Sequence, residues 1–133
     1  MPQRLSGLRV VSFESRRAPE MAELIRKYGG EPIQAPSMRE VPLTDPREEV
    51  AFGETLLSGD CDILILLTGV GTRLLMAGLS TRWPKEHILA ALRRLQLVCR
   101  GPKPIAALRE VGLTPTLTVR EPNTWRELLS ERI

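Results

Sequence analysis

Hydrophobic positions in the first third of the chain change from a strand pattern to a helix pattern and back. The β-branched run Leu8–Phe13 predicts a first strand. Apolar residues that recur every three to four positions predict an amphipathic helix, which Ser15 can cap and which runs to about Lys27. A second strand follows near residues 32–35. The segment therefore predicts a βαβ unit that opens at residue 7.

A proline-rich connector follows this unit. Residues 36–46 contain three prolines and show no periodicity, so they predict an extended crossing between domains. We assign residues 1–35 to the βαβ unit of a first domain and residues 47–133 to an α/β second domain.

Strand and helix patterns continue to alternate beyond the connector. Residues 62–67 are apolar at every position from 63 on, which is typical of a central parallel strand covered by helices on both faces. Around it the pattern predicts helices at about 46–58, 72–77, 85–94, 102–111 and 124–131, and strands at 96–99 and 116–119. The alternation predicts a flavodoxin-like, doubly wound parallel sheet with right-handed crossovers.

Composition places the chain among soluble globular proteins. The hydrophobic content is 42% and the charged content 26%. The apolar run Ile63–Leu67 is too short to span a bilayer, and the first residues lack the apolar stretch of a signal peptide, so we expect a cytoplasmic protein without a membrane partner. Cys61 and Cys99 have no nearby metal-ligand pattern and are expected to be reduced core thiols.

The charge of the chain favours small anionic ligands. The formal net charge is +3, and most of the excess is arginine. Two Phe, two Trp and one Tyr offer no stacking platform for single-stranded nucleic acid, so no nucleic-acid partner is expected.

Three loops that directly follow predicted strands contain arginine. They are Glu14–Arg17, Thr68–Arg73 and Arg100–Lys103. In open parallel sheets, ligands bind beyond the carboxyl ends of the strands. The second loop adds two glycines and two threonine hydroxyls, so its backbone N–H groups and helix dipole can face a carboxylate or phosphate. It lacks both the Walker A and the dinucleotide pattern.

Two simpler interpretations of these loops remain open. The glycines of the second loop can serve a tight strand-to-helix turn that needs glycine for its backbone angles. Each arginine can be a solvated surface charge. Because His87 has no partner spacing for a catalytic triad, and no metal-ligand cluster is visible, we predict neither catalytic side chains nor a metal or cofactor.

The order of these motifs resembles the N-terminal half of uroporphyrinogen-III synthases, over almost the whole chain. The resemblance is carried by Gly7–Val11 leading to Arg16 and Arg17, by Asp62–Gly71, and by Val98–Lys103 before a helix ending Val111-Gly112-Leu113. The individual motifs are loose, so their order and spacing carry the weight.

The resemblance implies an enzyme fold and a substrate. Members of that family have two flavodoxin-like domains facing each other across a cleft that binds the linear tetrapyrrole hydroxymethylbilane. They are lyases that remove water, invert ring D and close the macrocycle to uroporphyrinogen III in tetrapyrrole (haem) biosynthesis, without a cofactor. The family is thought to act mainly by orienting a substrate with eight carboxylates. The positions that match as substrate contacts are Thr68, Gly69, Val70 and Gly71, with Arg16, Arg17, Arg73, Arg100 and Lys103 as further candidates.

The chain departs from the family pattern in two ways. Pro104 stands where many members have Thr, which removes a hydroxyl and an N–H donor. The chain also looks half-length, and Tyr28 does not match the tyrosine of the family's second half. Two functions therefore remain open: a synthase whose activity as an isolated chain is uncertain, or a non-catalytic domain of the same fold that senses an anionic ligand.

The resemblance also suggests an assembly. Two chains can exchange their first βαβ units across residues 36–46, which gives a symmetric, domain-swapped homodimer that imitates the two-domain enzyme. The competing arrangement is a monomer whose first unit folds back to complete a single five-stranded sheet.

Overall fold

The protein has an α/β fold in which every strand pairing is parallel, as predicted. The computed structural model describes residues 4–39, 41 and 44–131. The strands are β1 (Arg9–Ser12), β2 (Glu31–Gln34), β3 (Ile63–Leu66), β4 (Gln96–Cys99) and β5 (Leu117–Thr118). The helices are α1 (Ala18–Lys27), α2 (Arg47–Ser58), α3 (Gly69–Ser80), α4 (Lys85–Leu92), α5 (Pro102–Glu110) and α6 (Trp125–Ser130).

The chain divides into two compact units, Met1–Pro42 (unit 1) and Leu43–Ile133 (unit 2). The domain boundaries inferred from the sequence remain a prediction, and residues 40, 42 and 43 of the predicted connector lie outside the described part of the chain. No helix in the described part is long and apolar enough to cross a bilayer.

Unit 1 is a βαβ unit with a two-stranded sheet. β1 and β2 pair in a register that places Val11 opposite Ile33. Helix α1 buries Ala18, Ala22 and Ile25. The amide of Gln34 donates to the Ala18 carbonyl at 3.0 Å and ties β2 to the start of α1. One face of this small sheet is therefore covered by α1.

Unit 2 contains a three-stranded sheet in the order β3-β4-β5. One face of the sheet contributes Leu66, Leu97 and Cys99 to the core. The other buried members of the core come from helices, which supply Leu56, Leu79, Ile88, Ala91, Leu92 and Leu108, and from the segments after α4 and α5, which supply Leu95 and Leu113. Burial of this many aliphatic side chains is the main force that stabilises the unit.

Strand β3 does not have helices on both faces, contrary to the prediction. Leu66 is buried, but Ile63, Ile65 and Leu67 are 41%, 42% and 49% exposed. Within the described residues, β3 pairs only with β4 and lies at the edge of its sheet. The second face is therefore partly open at β3, although Val98, the neighbour of Ile65 on β4, is fully buried. A continuous apolar run predicts burial on both faces, and in the described part of the chain β3 shows it on one.

Several helix boundaries differ from the predicted ones because local hydrogen bonds set where the helices begin. Thr68 caps α3, so this helix begins at Gly69 and not at residue 72. Thr124, with Glu127, forms a capping box that starts α6, and the preceding residue, Asn123, has φ of +62°. Ser15 does not cap α1. Cys99 is buried as expected, but Cys61 is only half-buried, because it precedes β3 in the chain and lies at the margin of the core.

Candidate functional site

The loop between β3 and α3 is held by a threonine cap. The Thr68 hydroxyl accepts the N–H of Gly71 at 2.9 Å. The Thr68 carbonyl accepts two hydrogen bonds from Thr72, one from the backbone N–H at 3.1 Å and one from the side-chain hydroxyl at 2.7 Å. Thr72 is buried, whereas Thr68 is exposed. The chain therefore turns from strand to helix with the Thr68 side chain at the surface.

Two backbone donors at this helix end have no acceptor in the described part of the chain. Gly71 and Thr72 donate to Thr68, but the N–H groups of Gly69 and Val70 make no hydrogen bond there. The first N–H groups of a helix and its dipole favour a negative charge at this position. The end of α3 can therefore bind a carboxylate.

Gly69 is required by a close helix contact and not by its backbone angles. Neither Gly69 nor Gly71 has a positive φ, so the interpretation of a turn that needs glycine for its angles is wrong. A Cβ at position 69 would lie 2.9 Å from the carbonyl oxygen of Lys103. Glycine thus lets the start of α3 contact the start of α5, which lies beyond the carboxyl end of β4.

The loop after β4 lies at the same end of the sheet as the loop after β3, because the carboxyl ends of these neighbouring parallel strands point the same way. Arg100 is half-buried, and its backbone N–H donates to the Leu66 carbonyl at 3.0 Å. Lys103 is exposed. Since Pro102 and Pro104 lack N–H groups, the first turn of α5 offers fewer backbone donors than α3. The two loops combine backbone donors from α3 with the charges of Arg100 and Lys103.

Arg73 is engaged in an ion pair. Its Nε donates to Glu110 Oε2 at 2.9 Å and its Nη2 to Oε1 at 2.5 Å, so the pair is bidentate and joins α3 to the last residue of α5. The hydrogen bond from Arg73 lowers the pKa of Glu110. The guanidinium nevertheless stays close to the start of α3: its Nη1 lies 3.2 Å from where a Cβ of Gly69 would be, and the Lys103 carbonyl oxygen lies 2.9 Å from the same point.

In unit 1, the loop after β1 already holds a carboxylate. Glu14 Oε1 accepts the N–H groups of Ser15, Arg16 and Arg17 at 3.1, 3.1 and 3.2 Å. The exposed Arg17 also pairs with Glu20 at 3.5 Å. The backbone donors of the three residues that precede α1 are thus occupied by the protein's own side chain.

An open pocket of about 440 Å³ lies beside this loop. The residues after β1 and those after β2 form it together, and the Ser15 hydroxyl joins the two segments by accepting the N–H of Met38 at 3.1 Å. Arg16 and Arg39 supply the positive charge of its lining, and Glu14 supplies a negative charge. The pocket can therefore hold a small polar ligand with an anionic group.

The structure brings together some of the predicted residues and adds others. In unit 2, Thr68, Gly69, Val70, Gly71, Arg100 and Lys103 lie at one edge of the sheet. The sequence analysis missed Arg39, Glu110 and Asn123. Arg39 lies in the segment after β2, so the same criterion, a loop that follows a strand, could have identified it. Asn123 could not be found in this way, because its position depends on a contact in space: its Oδ1 lies 3.4 Å from where a Cβ of Gly101 would be.

The described residues contain no group of three or more side chains suited to hold a metal ion.

The fold and these loops define a parallel α/β protein with helix N-termini and basic side chains at the carboxyl ends of its strands. The family model described as Uroporphyrinogen-III synthase HemD matches residues 19–132. The chain belongs to the uroporphyrinogen-III synthase family.

Known proteins similar to this chain are about twice as long. The chain is 32% identical over 129 residues to "Uncharacterized protein YjjA" of Bacillus subtilis strain 168, and the match covers 97% of this chain and 47% of that protein. A mutant uroporphyrinogen III synthase of the extremely thermophilic bacterium Thermus thermophilus is 28% identical with a TM-score of 0.69, over 91% of this chain and 46% of that one. The wild-type enzyme in a second crystal form is 27% identical with a TM-score of 0.57, over 91% and 45%. The chain thus spans about half the length of these relatives.

Proposed function

We propose that this chain provides half of a uroporphyrinogen-III synthase, which dehydrates and cyclises hydroxymethylbilane to uroporphyrinogen III with inversion of ring D. The observation that carries the proposal is the family match over residues 19–132. The similarity to solved uroporphyrinogen III synthases supports it. The reaction makes the chain a lyase of tetrapyrrole biosynthesis that acts in the cytoplasm.

The proposed substrate fits the donors at the sheet edge of unit 2. Its carboxylates can accept from the N–H groups of Gly69 and Val70 and from the hydroxyl of Thr68, and can pair with Arg100 and Lys103. Gly71 contributes by closing the cap on Thr68. In unit 1, Arg16 and Arg17 are proposed as further contacts.

Arg73 is proposed to contact substrate only by leaving its partner. Its bidentate bond to Glu110 would have to be exchanged for a bond to a substrate carboxylate. Both side chains are about half exposed, so the exchange requires little desolvation. We therefore expect Arg73 to contribute less than Arg100 to binding.

Side chains need do little acid-base work in this proposal. The residues at the sheet edge are donors and cations, and they can hold a flexible bilane in one conformation. Holding the ring-closing atoms together excludes the spontaneous product, in which ring D is not inverted. The isomer formed therefore reports directly on the proposed function.

A coupled assay tests the proposal. Hydroxymethylbilane is generated in place, and the oxidised products are separated as type I and type III uroporphyrin. Type III product above the control without protein supports a synthase. The double variant Arg100→Gln/Lys103→Gln should lower its rate, whereas Arg109→Gln, an exposed charge in the last turn of α5, should not. If only the type I isomer forms, at the spontaneous rate, the isolated chain is not a synthase, and ligand sensing becomes the better account.

A further inference from the structure

The loop after β5 adds a side-chain amide to the carboxyl end of the sheet in unit 2. Because β4 and β5 are parallel neighbours, this loop lies at the same end of the sheet as the loop that contains Arg100 and Lys103. In it, Asn123 adopts φ of +62°, a backbone conformation that asparagine tolerates better than most residues do. Its carboxamide lies against Gly101, the N-cap residue of α5.

A hydrogen bond to the sheet fixes the orientation of this amide. Asn123 Nδ2 donates to the carbonyl of Val119 at 2.8 Å. Since a carbonyl oxygen can only accept, the amide nitrogen belongs on that side and Oδ1 on the other. Val119 is buried, and its own N–H donates to the Cys99 carbonyl at 2.9 Å. The amide of Asn123 is therefore anchored to the core of the sheet.

The carboxamide oxygen of Asn123 has no donor. In the described part of the chain, no N–H or O–H group donates to Oδ1. Asn123 is half-buried, and among the described residues the buried side-chain oxygen without a partner is Glu49 Oε2, so Oδ1 is within reach of solvent. Because Gly101 has no side chain, the space beside Oδ1 is open.

The other groups assigned to this site cannot accept a hydrogen bond from a ligand. The first N–H groups of α3 are donors, and Arg100 and Lys103 are cations. The Thr68 hydroxyl already accepts the N–H of Gly71 at 2.9 Å. A linear tetrapyrrole carries carboxylates, which need donors and cations, and pyrrole N–H groups, which need an acceptor. An N–H group that loses water on binding without gaining an acceptor weakens the complex.

We propose that Asn123 is a further binding residue of this site, and that its carboxamide oxygen accepts a hydrogen bond from a pyrrole N–H of the ligand while Arg100 and Lys103 pair with carboxylates. The choice of a pyrrole rests on the proposed function, but the unpaired acceptor near two cations does not. The site then selects a ligand in which an N–H donor lies close to an anionic group, and it discriminates against an anion that lacks the donor.

Two small pyrroles test this hydrogen bond. Pyrrole-2-carboxylate has a free N–H next to its carboxylate, and N-methylpyrrole-2-carboxylate is the matched control, in which a methyl group replaces that proton. Titration of the isotope-labelled full-length chain, followed by NMR, gives a dissociation constant for each and shows whether the side-chain amide signals of Asn123 move. We expect the wild-type chain to bind the N–H pyrrole about fivefold more tightly, which is the contribution of one neutral hydrogen bond.

Two variants remove the acceptor in different ways. Asn123→Gly keeps the positive φ but has no carboxamide. Gly101→Ala places a Cβ in ordinary van der Waals contact with Oδ1, and the extended backbone there, with φ of −167°, accepts alanine, so the fold is kept while the oxygen is covered. Both variants should bind the two pyrroles equally, whereas Arg109→Gln should keep the fivefold preference. If Asn123→Gly does not fold, Gly101→Ala decides.

The outcomes separate this role from the proposed function. A preference that persists in the variants would overturn the proposal, because shape alone would then exclude the methyl group. Equal affinity of the wild-type chain for the two pyrroles, or no binding of either, would overturn it as well. Type III product from a chain without the preference would support the synthase and refute the role of Asn123. The preference without type III product would refute the synthase and leave that role intact.

Discussion

Replacement of Gly69 by alanine has two opposite effects on the free energy of unfolding. In a helix interior, Gly→Ala stabilises by up to about 1 kcal/mol, because the unfolded chain loses freedom. At position 69, however, the new Cβ would lie 2.9 Å from the Lys103 carbonyl oxygen and 3.2 Å from its carbon, which are backbone atoms that cannot rotate away. Forcing an extra carbon into a packed contact costs about 1–3 kcal/mol.

The cost of the packed contact outweighs the gain in helix propensity. We expect Gly69→Ala to lower the free energy of unfolding by about 1–2 kcal/mol, and the Tm by roughly 3–8 °C for a chain of this size. Thermal unfolding followed by circular dichroism, with urea titration as a second measurement, gives the value. The contact between the starts of α3 and α5 would loosen as well.

A double-mutant cycle with Lys103→Ala locates the clash. Because the crowded atoms belong to the backbone of residue 103, removing the lysine side chain should not rescue Gly69→Ala, and the two effects should add within about 0.5 kcal/mol. A higher Tm for Gly69→Ala, or rescue by Lys103→Ala, would refute the reasoning and return Gly69 to the role of an ordinary helix residue.

Three further outcomes follow from the contacts of unit 2. Thr68→Ala removes the cap of α3 and should lower the free energy of unfolding by about 1 kcal/mol in urea titration. Arg73 lowers the pKa of Glu110, so this pair stabilises the fold above the carboxyl's unfolded pKa and loses that effect as pH falls through the lower, folded pKa; Glu110→Gln should therefore flatten this part of a stability-against-pH profile. Burial raises the pKa of the Cys99 thiol, so mass spectrometry after brief iodoacetamide treatment should find Cys61 alkylated well before Cys99.

The sequence predicted the elements of the fold because their signals are local. Alternating apolar runs and helical spacing identified β1, α1, β4 and α5 within a few residues. The start of α3 was placed three residues late, because two glycines and a threonine looked like a loop before the Thr68 cap was visible. The apolar run of β3 signalled burial, but a sequence pattern does not encode which segment provides it.

The sequence predicted which loops follow the strands, but not the ion pairs and hydrogen bonds within them. Strand-end loops can be recognised along the chain, and they selected Thr68, Arg100 and Lys103. The partner of Arg73 is 37 positions away, on a helix whose packing against α3 depends on the fold. The hydrogen bonds of Glu14 to the three residues before α1 are local, yet they require the side chain to fold over the following backbone, which no residue spacing indicates.

Titration of the chain with uroporphyrin, which has eight carboxylates, tests most directly whether the sheet edge of unit 2 binds the proposed ligand class. The account predicts saturable quenching of porphyrin fluorescence that weakens as salt rises, with the dissociation constant raised about tenfold, or 1.4 kcal/mol, by Arg100→Gln/Lys103→Gln and unchanged by Arg109→Gln. Equal affinity for the wild-type chain and the double variant, or equal loss in Arg109→Gln, would contradict a binding site at this edge.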